Sequence, residues 1–252
     1  MRINLKKIIC IILSFTGVSF ANVEQNQGSS DNEQFYAFQE MNLYESVGID
    51  EQGKEEFRLV ESKPYGNIFN ALAKAQGVTK VNIGDVLMRT KNLIALGKEI
   101  YTIVEAGKAV VTINSKPIQV LPMNDNAEAI SASELDGWSP PKSRKFRVET
   151  KNYMGMSPVV FEFMLIFTYG GSLEGQGLYI TGAQIKPVFV DVKWGFKFDA
   201  SFKVQTIVNE GSYEQPIAGA VLMLDTKIET ILQERQMNQT FYINGQGLIN
   251  AH

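Results

Sequence analysis

The sequence predicts an α+β fold, in which a large twisted antiparallel β-sheet or sandwich of about six to eight strands is packed by one long amphipathic helix. Three segments indicate this: an alternating run at 193–205, an apolar run at 159–169, and helically spaced apolar residues at 82–106. Alternation is typical of a strand, and three- or four-residue spacing is typical of a helix. We therefore expect one β-rich core with a helix lying along it.

The alternating run separates aromatic and aliphatic residues from lysines and other small or polar residues. A helix would distribute the aromatic residues around its circumference, whereas a strand places them on one face. We expect that face to be buried. Its members are Trp194, Phe196, Phe198, Ala200, Phe202 and Val204.

The apolar run from Val159 to Tyr169 has apolar residues at both odd and even positions, with Glu162 and Thr168 as the clear exceptions. A strand of this kind is covered on both faces and lies centrally in its sheet. We expect Glu162 either to pair with a lysine across the sheet or to occupy an edge position.

The helical prediction depends on a stripe of apolar residues between Asn82, a suitable N-cap, and Gly107, a suitable stop. Over about 24 residues the helix would be roughly 35 Å long, enough to lie along a whole sheet. The stripe consists of Ile83, Val86, Leu87, Leu93, Ile94, Ile100, Tyr101 and Val104.

The first 21 residues have the pattern of a secretory signal peptide. Three basic residues precede a short apolar run at 8–13, and Ser19-Phe20-Ala21 fits a cleavage site. A retained membrane anchor needs about 20 apolar residues, and Ser14 interrupts the run too early. We expect cleavage between Ala21 and Asn22, export through the secretory pathway, a periplasmic or secreted location, and no transmembrane segment in the mature chain.

The remaining chain divides by composition. Residues 22–34 are polar and predict a disordered lead. Residues 35–252 predict a single α+β domain, with a helical part at about 66–107 and an antiparallel β part at about 109–245. The helical part includes a short helix after Asn67.

Charge and cysteine content limit the possible partners. The signal peptide carries three of the 24 Lys and Arg and none of the 27 Asp and Glu, so the mature chain has a formal charge of −6. Nucleic-acid binding depends on basic residues that neutralise phosphates, so we expect no nucleic-acid partner. Cys10 is the only cysteine and leaves with the signal peptide, so we expect stability to come from the core rather than from disulfides.

The residue types exclude several kinds of catalysis. His252 is the only histidine and stands at the end of the sequence. Without cysteine or an internal histidine, the mature chain cannot assemble a Ser-His or Cys-His nucleophile, and zinc and haem lose their usual ligands. The sequence also lacks the glycine-rich phosphate and dinucleotide motifs. We expect no cofactor.

Two candidate sites lie in the connection at 123–143. Trp138, between Gly137 and a Ser-Pro-Pro segment, is a candidate ligand contact, and its alternative role is to fold back onto the core. Oxygen ligands for calcium occur together at Asp125, Asn126 and Glu128. They do not match the EF-hand pattern, and acidic loop residues are usually only solvated.

These observations predict an exported non-enzymatic binding or structural protein of the cell envelope or secreted fraction, whose partner is a protein, a glycan or a lipid. One alternative is a membrane-active protein that binds lipid or forms pores, because the predicted amphipathic helix could separate from the sheet and the chain is 10% aromatic. A second alternative is a carboxylate-dependent hydrolase, because a glycosidase pair needs only Asp and Glu side chains.

Overall fold

Two antiparallel β-sheets, one of nine strands and one of five, form the part of the protein described by the computed structural model. That part comprises residues 27–60, 79–83, 86–89, 92–97, 100–104 and 116–252. In chain order its helix and strands are α1 (Gln27–Tyr36), β1 (Phe38–Ile49), β2 (Glu55–Leu59), β3 (Thr79–Ile83), β4 (Val86–Arg89), β5 (Leu93–Leu96), β6 (Ile100–Val104), β7 (Ile118–Pro122), β8 (Lys142–Asn152), β9 (Val159–Leu173), β10 (Gln176–Val192), β11 (Lys197–Asn209), β12 (Ala218–Glu229), β13 (Glu234–Asn244) and β14 (Ile249–Ala251).

The nine-stranded sheet has the order β2-β1-β8-β9-β10-β7-β5-β4-β3, and the five-stranded sheet has the order β14-β13-β12-β11-β6. Residues 193–196 connect β10, in the first sheet, to β11, in the second. The antiparallel β structure that the sequence predicts is confirmed, although the described residues contain more strands than the expected six to eight.

The core lies between the two sheets and is rich in phenylalanine. Phe146 on β8 contacts Phe241 on β13, with ring centroids 4.9 Å apart, and Phe161 on β9 lies 5.2 Å from Phe198 on β11. Aromatic pairs at these separations contribute beyond the apolar area that they bury. The sheets therefore pack face to face as a sandwich.

Five of the six residues predicted on the buried face of the alternating run are buried, from Phe196 to Val204. Trp194 is the exception, because 76% of its surface is exposed. The strand begins only at Lys197, and Gly195 has a φ of +86°, a turn conformation that interrupts the alternation. The prediction was wrong for Trp194 because it extended the strand through this turn.

The apolar run became β9, which lies between β8 and β10 in the interior of the nine-stranded sheet. Its odd-numbered residues from Val159 to Phe167 are buried against the second sheet, and most of its even-numbered residues are half-buried. The predicted central position is confirmed, but only one face of the strand is fully covered.

The long amphipathic helix predicted over 82–106 is wrong. Apart from Asn92 and Gly97, the described residues of that segment belong to strands β3, β4, β5 and β6. β5 pairs with β7 and β6 pairs with β11, and such long-range pairing overrides the local spacing of apolar residues. Gly97, with a φ of +127°, passes so close to Ile118 that an added Cβ would lie 2.9 Å from its Cα.

At the start of the described chain, α1 includes residues 27–34 of the lead that the sequence predicts to be disordered. The end of this helix is held by aromatic contacts, with Phe35 and Tyr36 lying 5.5 and 5.7 Å from Phe196. The signal peptide with its cleavage between Ala21 and Asn22, and the short helix after Asn67, lie outside the described residues. Within those residues, no helix combines the length and apolar character needed to cross a membrane.

Candidate functional site

The outer face of the nine-stranded sheet carries an open groove of about 590 Å³ near the β2 edge. Side chains alternate along β8, so that Phe146 and Val148 face the core while Arg147, Glu149 and Lys151 face outward. β8 pairs with β1, and β1 pairs with β2. The groove therefore also contains residues of β1, of β2 and of the turn between them. The groove is lined by Tyr44, Val47, Asp50, Lys54, Glu55, Glu56, Phe57, Arg147, Glu149 and Lys151.

A network of four charged side chains, which we call the Glu162 cluster, lies along one side of this groove and consists of Glu55, Lys145, Arg147 and Glu162. Glu162 is 7% exposed and accepts hydrogen bonds from Arg147 Nε and Nη2, at 2.9 and 2.6 Å. Its other oxygen lies 2.8 Å from Lys145 Nζ, which also binds Glu55. The prediction that Glu162 pairs with a lysine across the sheet is confirmed.

The cluster holds Glu55 and Lys145 in their charged forms. Burial alone would raise the pKa of Glu55, but hydrogen bonds from Lys145 and Ser46 and the charges of Lys145 and Arg147 outweigh it and lower that pKa. Burial alone would lower the pKa of Lys145, but its hydrogen bonds to Glu162 and Glu55 and their charges raise it. At neutral pH, therefore, Glu55 is an ionised hydrogen-bond acceptor and Lys145 is a cation.

Phe57 on β2 fixes the guanidinium of Arg147 from the other side. The ring centroid lies 3.7 Å from Arg147 Cζ and 5.5 Å from Lys145 Nζ. A guanidinium over an aromatic face gains cation–π energy, and here it also bonds Glu162. Arg147 is therefore held between a ring and a carboxylate, which makes this wall of the groove rigid.

Three charged side chains that line the groove have no partner among the described residues. In the residues that the structure describes, Lys54, Glu56 and Lys151 make no side-chain hydrogen bond or ion pair. Asp50 differs, because its Oδ1 accepts hydrogen bonds from the backbone N–H groups of Gln52 and Lys54 and so shapes the turn between β1 and β2. The unpaired charges of both signs are available to a ligand.

A second groove of about 590 Å³ lies on the outer face of the five-stranded sheet. Its lysines are already paired, because Lys203 binds Asp225 at 2.5 Å and Lys227 binds two glutamates. Burial, together with the charge of Glu229, raises the pKa of Asp199 in this groove. With its lysines paired inside the protein, this groove is the weaker candidate.

Trp138, the predicted ligand contact, lies away from both grooves. Its Nε1 donates to the carbonyl oxygen of Ala132 at 3.1 Å, and its half-buried ring covers Gly171, where no side chain would fit. The Ala132 carbonyl belongs to a short 3-10 turn, Ala132–Glu134, that Ser131 caps. These contacts correspond to the alternative role, in which Trp138 folds back onto the core.

The predicted calcium ligands lie in the connection after β7. Asn124 Oδ1 accepts hydrogen bonds from the N–H groups of Asn126 and Glu128, at 3.0 and 2.9 Å, so a side-chain acceptor of the protein organises this loop. The side chains of Asp125, Asn126 and Glu128 are exposed. Across the described ranges, no three His, Cys, Asp or Glu side chains are grouped closely enough to hold a metal ion.

Sequence reasoning missed the groove. Its residues come from two segments, 44–57 and 147–151, that meet only because β1 pairs with β8. The alternation of charged and apolar residues in β8 was the one available signal, and it indicates an outer face without identifying what lies over it. Comparison of this chain with protein-family models, with curated proteins and with solved structures found no match.

Proposed function

We propose that this chain is an exported, non-enzymatic binding protein of the cell envelope or secreted fraction, and that it binds a polar ligand in the groove at the β2 edge. The observation that carries this proposal is the set of unpaired charges at Lys54, Glu56 and Lys151 beside the rigid Phe57–Arg147 wall. A preformed wall lowers the entropy cost of binding.

The chemistry of the groove favours a ligand with both hydrogen-bond donors and acceptors, such as a short glycan. Lysines at positions 54 and 151 offer donors, whereas Glu56 offers an acceptor. A polyphosphate backbone would meet four carboxylates in this groove, at positions 50, 55, 56 and 149, so nucleic acid is disfavoured.

The two carboxylates of the Glu162 cluster are poorly suited to act as the catalytic pair of a hydrolase. A glycosidase needs one carboxyl group that is protonated near neutral pH, and enzymes obtain this by raising its pKa. The pKa of Glu55 is lowered instead, and both oxygens of Glu162 are engaged by cations. The arrangement supports a structural and binding role for these acids.

Export is supported by the sequence pattern of residues 1–21, and the core of the fold needs no disulfide in an oxidising compartment. The described core consists of apolar and aromatic side chains from both sheets. Such a core does not depend on the redox state of the compartment.

The experiment is a binding screen of the purified protein against a glycan array, followed by calorimetric titration of the glycans that bind. We expect Lys151→Met and Glu56→Gln each to weaken binding by about tenfold, because each removes a charged hydrogen-bonding group. Lys186→Met, at an exposed position on β10, is the matched control and should bind as the wild type does. Absence of any glycan ligand, or equal affinity in all three variants, would overturn the proposal.

A further inference from the structure

One end of the sandwich is formed by three chain segments at the ends of strands: 152–158, which begins with the last residue of β8, and the connections 193–196 and 230–233. The pairings place them together, because Val192 at the end of β10 pairs with Val159 at the start of β9. In the second sheet, Lys197 at the start of β11 pairs with Glu229 at the end of β12. We call these three segments the apolar end.

The apolar end exposes large apolar side chains and carries almost no charge. Trp194 and Ile231 are each 76% exposed. Lys193 is the only charged residue in the three segments, and it pairs with Asp191 just before the turn. The exposed apolar residues are Tyr153, Met154, Met156, Trp194, Ile231 and Leu232.

The base of the apolar end is rigid. Thr230 Oγ1 donates to the carbonyl oxygen of Tyr36 at 3.1 Å, and Asn152 Nδ2 donates to that of Phe35 at 3.0 Å. The backbone N–H of Lys193 donates to the carbonyl oxygen of Pro158 at 2.9 Å. The end of α1 thus connects the turns, which present their apolar side chains from a fixed support.

We propose that the apolar end is a lipid-docking surface, through which the protein binds peripherally to a membrane. Tryptophan and tyrosine favour the boundary between lipid and water, where Trp194 and Tyr153 would lie. The apolar end carries no unpaired charge, because Lys193 is paired with Asp191, and the flanking Glu229 and Glu234 are paired with Lys227. A surface of exposed apolar side chains whose charges are paired can enter the boundary between lipid and water without leaving an isolated charge there.

The inserted part would be shallow. The turns lie directly beside continuously paired strands, and Leu93 and Ile94 of β5 are buried in the core rather than available to lipid. Only the side chains of the turns would therefore enter the interface, and we expect binding without loss of vesicle contents.

The experiment measures co-sedimentation of the purified protein with vesicles of phosphatidylcholine, alone and mixed with phosphatidylglycerol. We expect binding to both with similar strength, because the charges at the apolar end are paired, and retention of a trapped dye. Trp194→Ser and Ile231→Ser should each lower the partition constant by about tenfold, the scale expected for losing one buried apolar side chain. Ile49→Ser is the matched control, because Ile49 is 74% exposed at the opposite end of β1.

Fluorescence gives a second readout. Trp194 emission should shift to the blue on binding vesicles, whereas Trp138 is already packed against Gly171. The proposal is overturned if the wild type does not bind vesicles, or if the three variants bind equally. It is also overturned if the turn variants abolish self-association or capture of a protein partner while vesicle binding is absent.

Discussion

The ring of Phe198, on β11, lies 5.2 Å from the ring of Phe161, on β9, centroid to centroid, and this contact joins the two sheets of the sandwich. Both side chains are fully buried, whereas Lys197, directly before Phe198, is exposed. Adjacent positions of one strand thus have opposite environments.

Phe198→Ala should lower the free energy of unfolding by about 3–5 kcal/mol, because it leaves a cavity between the sheets. Lys197→Ala should change it by less than about 0.5 kcal/mol, since this side chain is solvated. Urea unfolding followed by circular dichroism measures both values. Equal losses in the two variants would contradict the register of β11.

Glu162→Gln should lower the free energy of unfolding by about 2 kcal/mol. The change leaves Arg147 and Lys145 close together without their shared carboxylate, and partial solvent access to both cations limits the loss. Glu214→Gln, at an exposed position, is the control and should be neutral. The same urea titration measures both, and a neutral Glu162→Gln would show that the cluster contributes nothing to stability.

Acid should remove the stabilisation that Glu55 provides. Its pKa is lowered in the folded protein, so its contribution is complete above the ordinary glutamate pKa, about 4.3, and is lost as the pH falls through the folded value. We expect the difference in unfolding free energy between the wild type and Glu55→Gln to be constant from about pH 7 to pH 5 and to shrink below about pH 4. A difference that grew on acidification would contradict this sign.

Calcium and zinc should have no effect on stability. The loop with Asp125, Asn126 and Glu128 is organised by Asn124, and outside the predicted signal peptide the sequence has neither cysteine nor an internal histidine. Thermal melting with EGTA, with a zinc chelator and with added calcium should give one Tm. A Tm that falls with EGTA and is restored by calcium would establish a site in this loop.

The exported protein should begin at Asn22. Intact-mass measurement of the periplasmic or secreted fraction checks this, because the predicted cleavage follows Ala21. A mature species that retained Cys10 would contradict both the cleavage site and the absence of cysteine.

The local pattern of apolar and polar residues was sufficient to predict burial where one face of a strand lies against the core. The alternation from Phe196 to Val204 predicted burial correctly, because side chains alternate in any strand regardless of its partner. It was insufficient for the long helix. β5 is a short, consecutively buried segment, and short apolar segments fit either structure until their partner is known.

The groove could not be predicted for a related reason. Arg147 was visible as an outward residue of a strand, but its contacts come from Phe57 and Glu162, on strands that lie on opposite sides of β8. The spacing of residues along the chain carries no information about which side chains from different strands come into contact. For Trp138 the error was the opposite one. Its unusual sequence context suggested a ligand contact, but the side chain instead bonds and packs within the protein.

The pairing of β1 with β8 also has a consequence for the order of assembly. Glu45 and Arg144 form an ion pair at 2.8 Å although 99 positions separate them. In contrast, β11 pairs with β12, and β12 with β13, and each of these partners is the next strand in the chain. Closing a long loop costs entropy before its contacts form. Although β1 precedes β8 in the chain, it cannot pair with β8 until this long loop closes. We therefore expect the hairpins of the C-terminal half to form first and to serve as the template on which β1 docks.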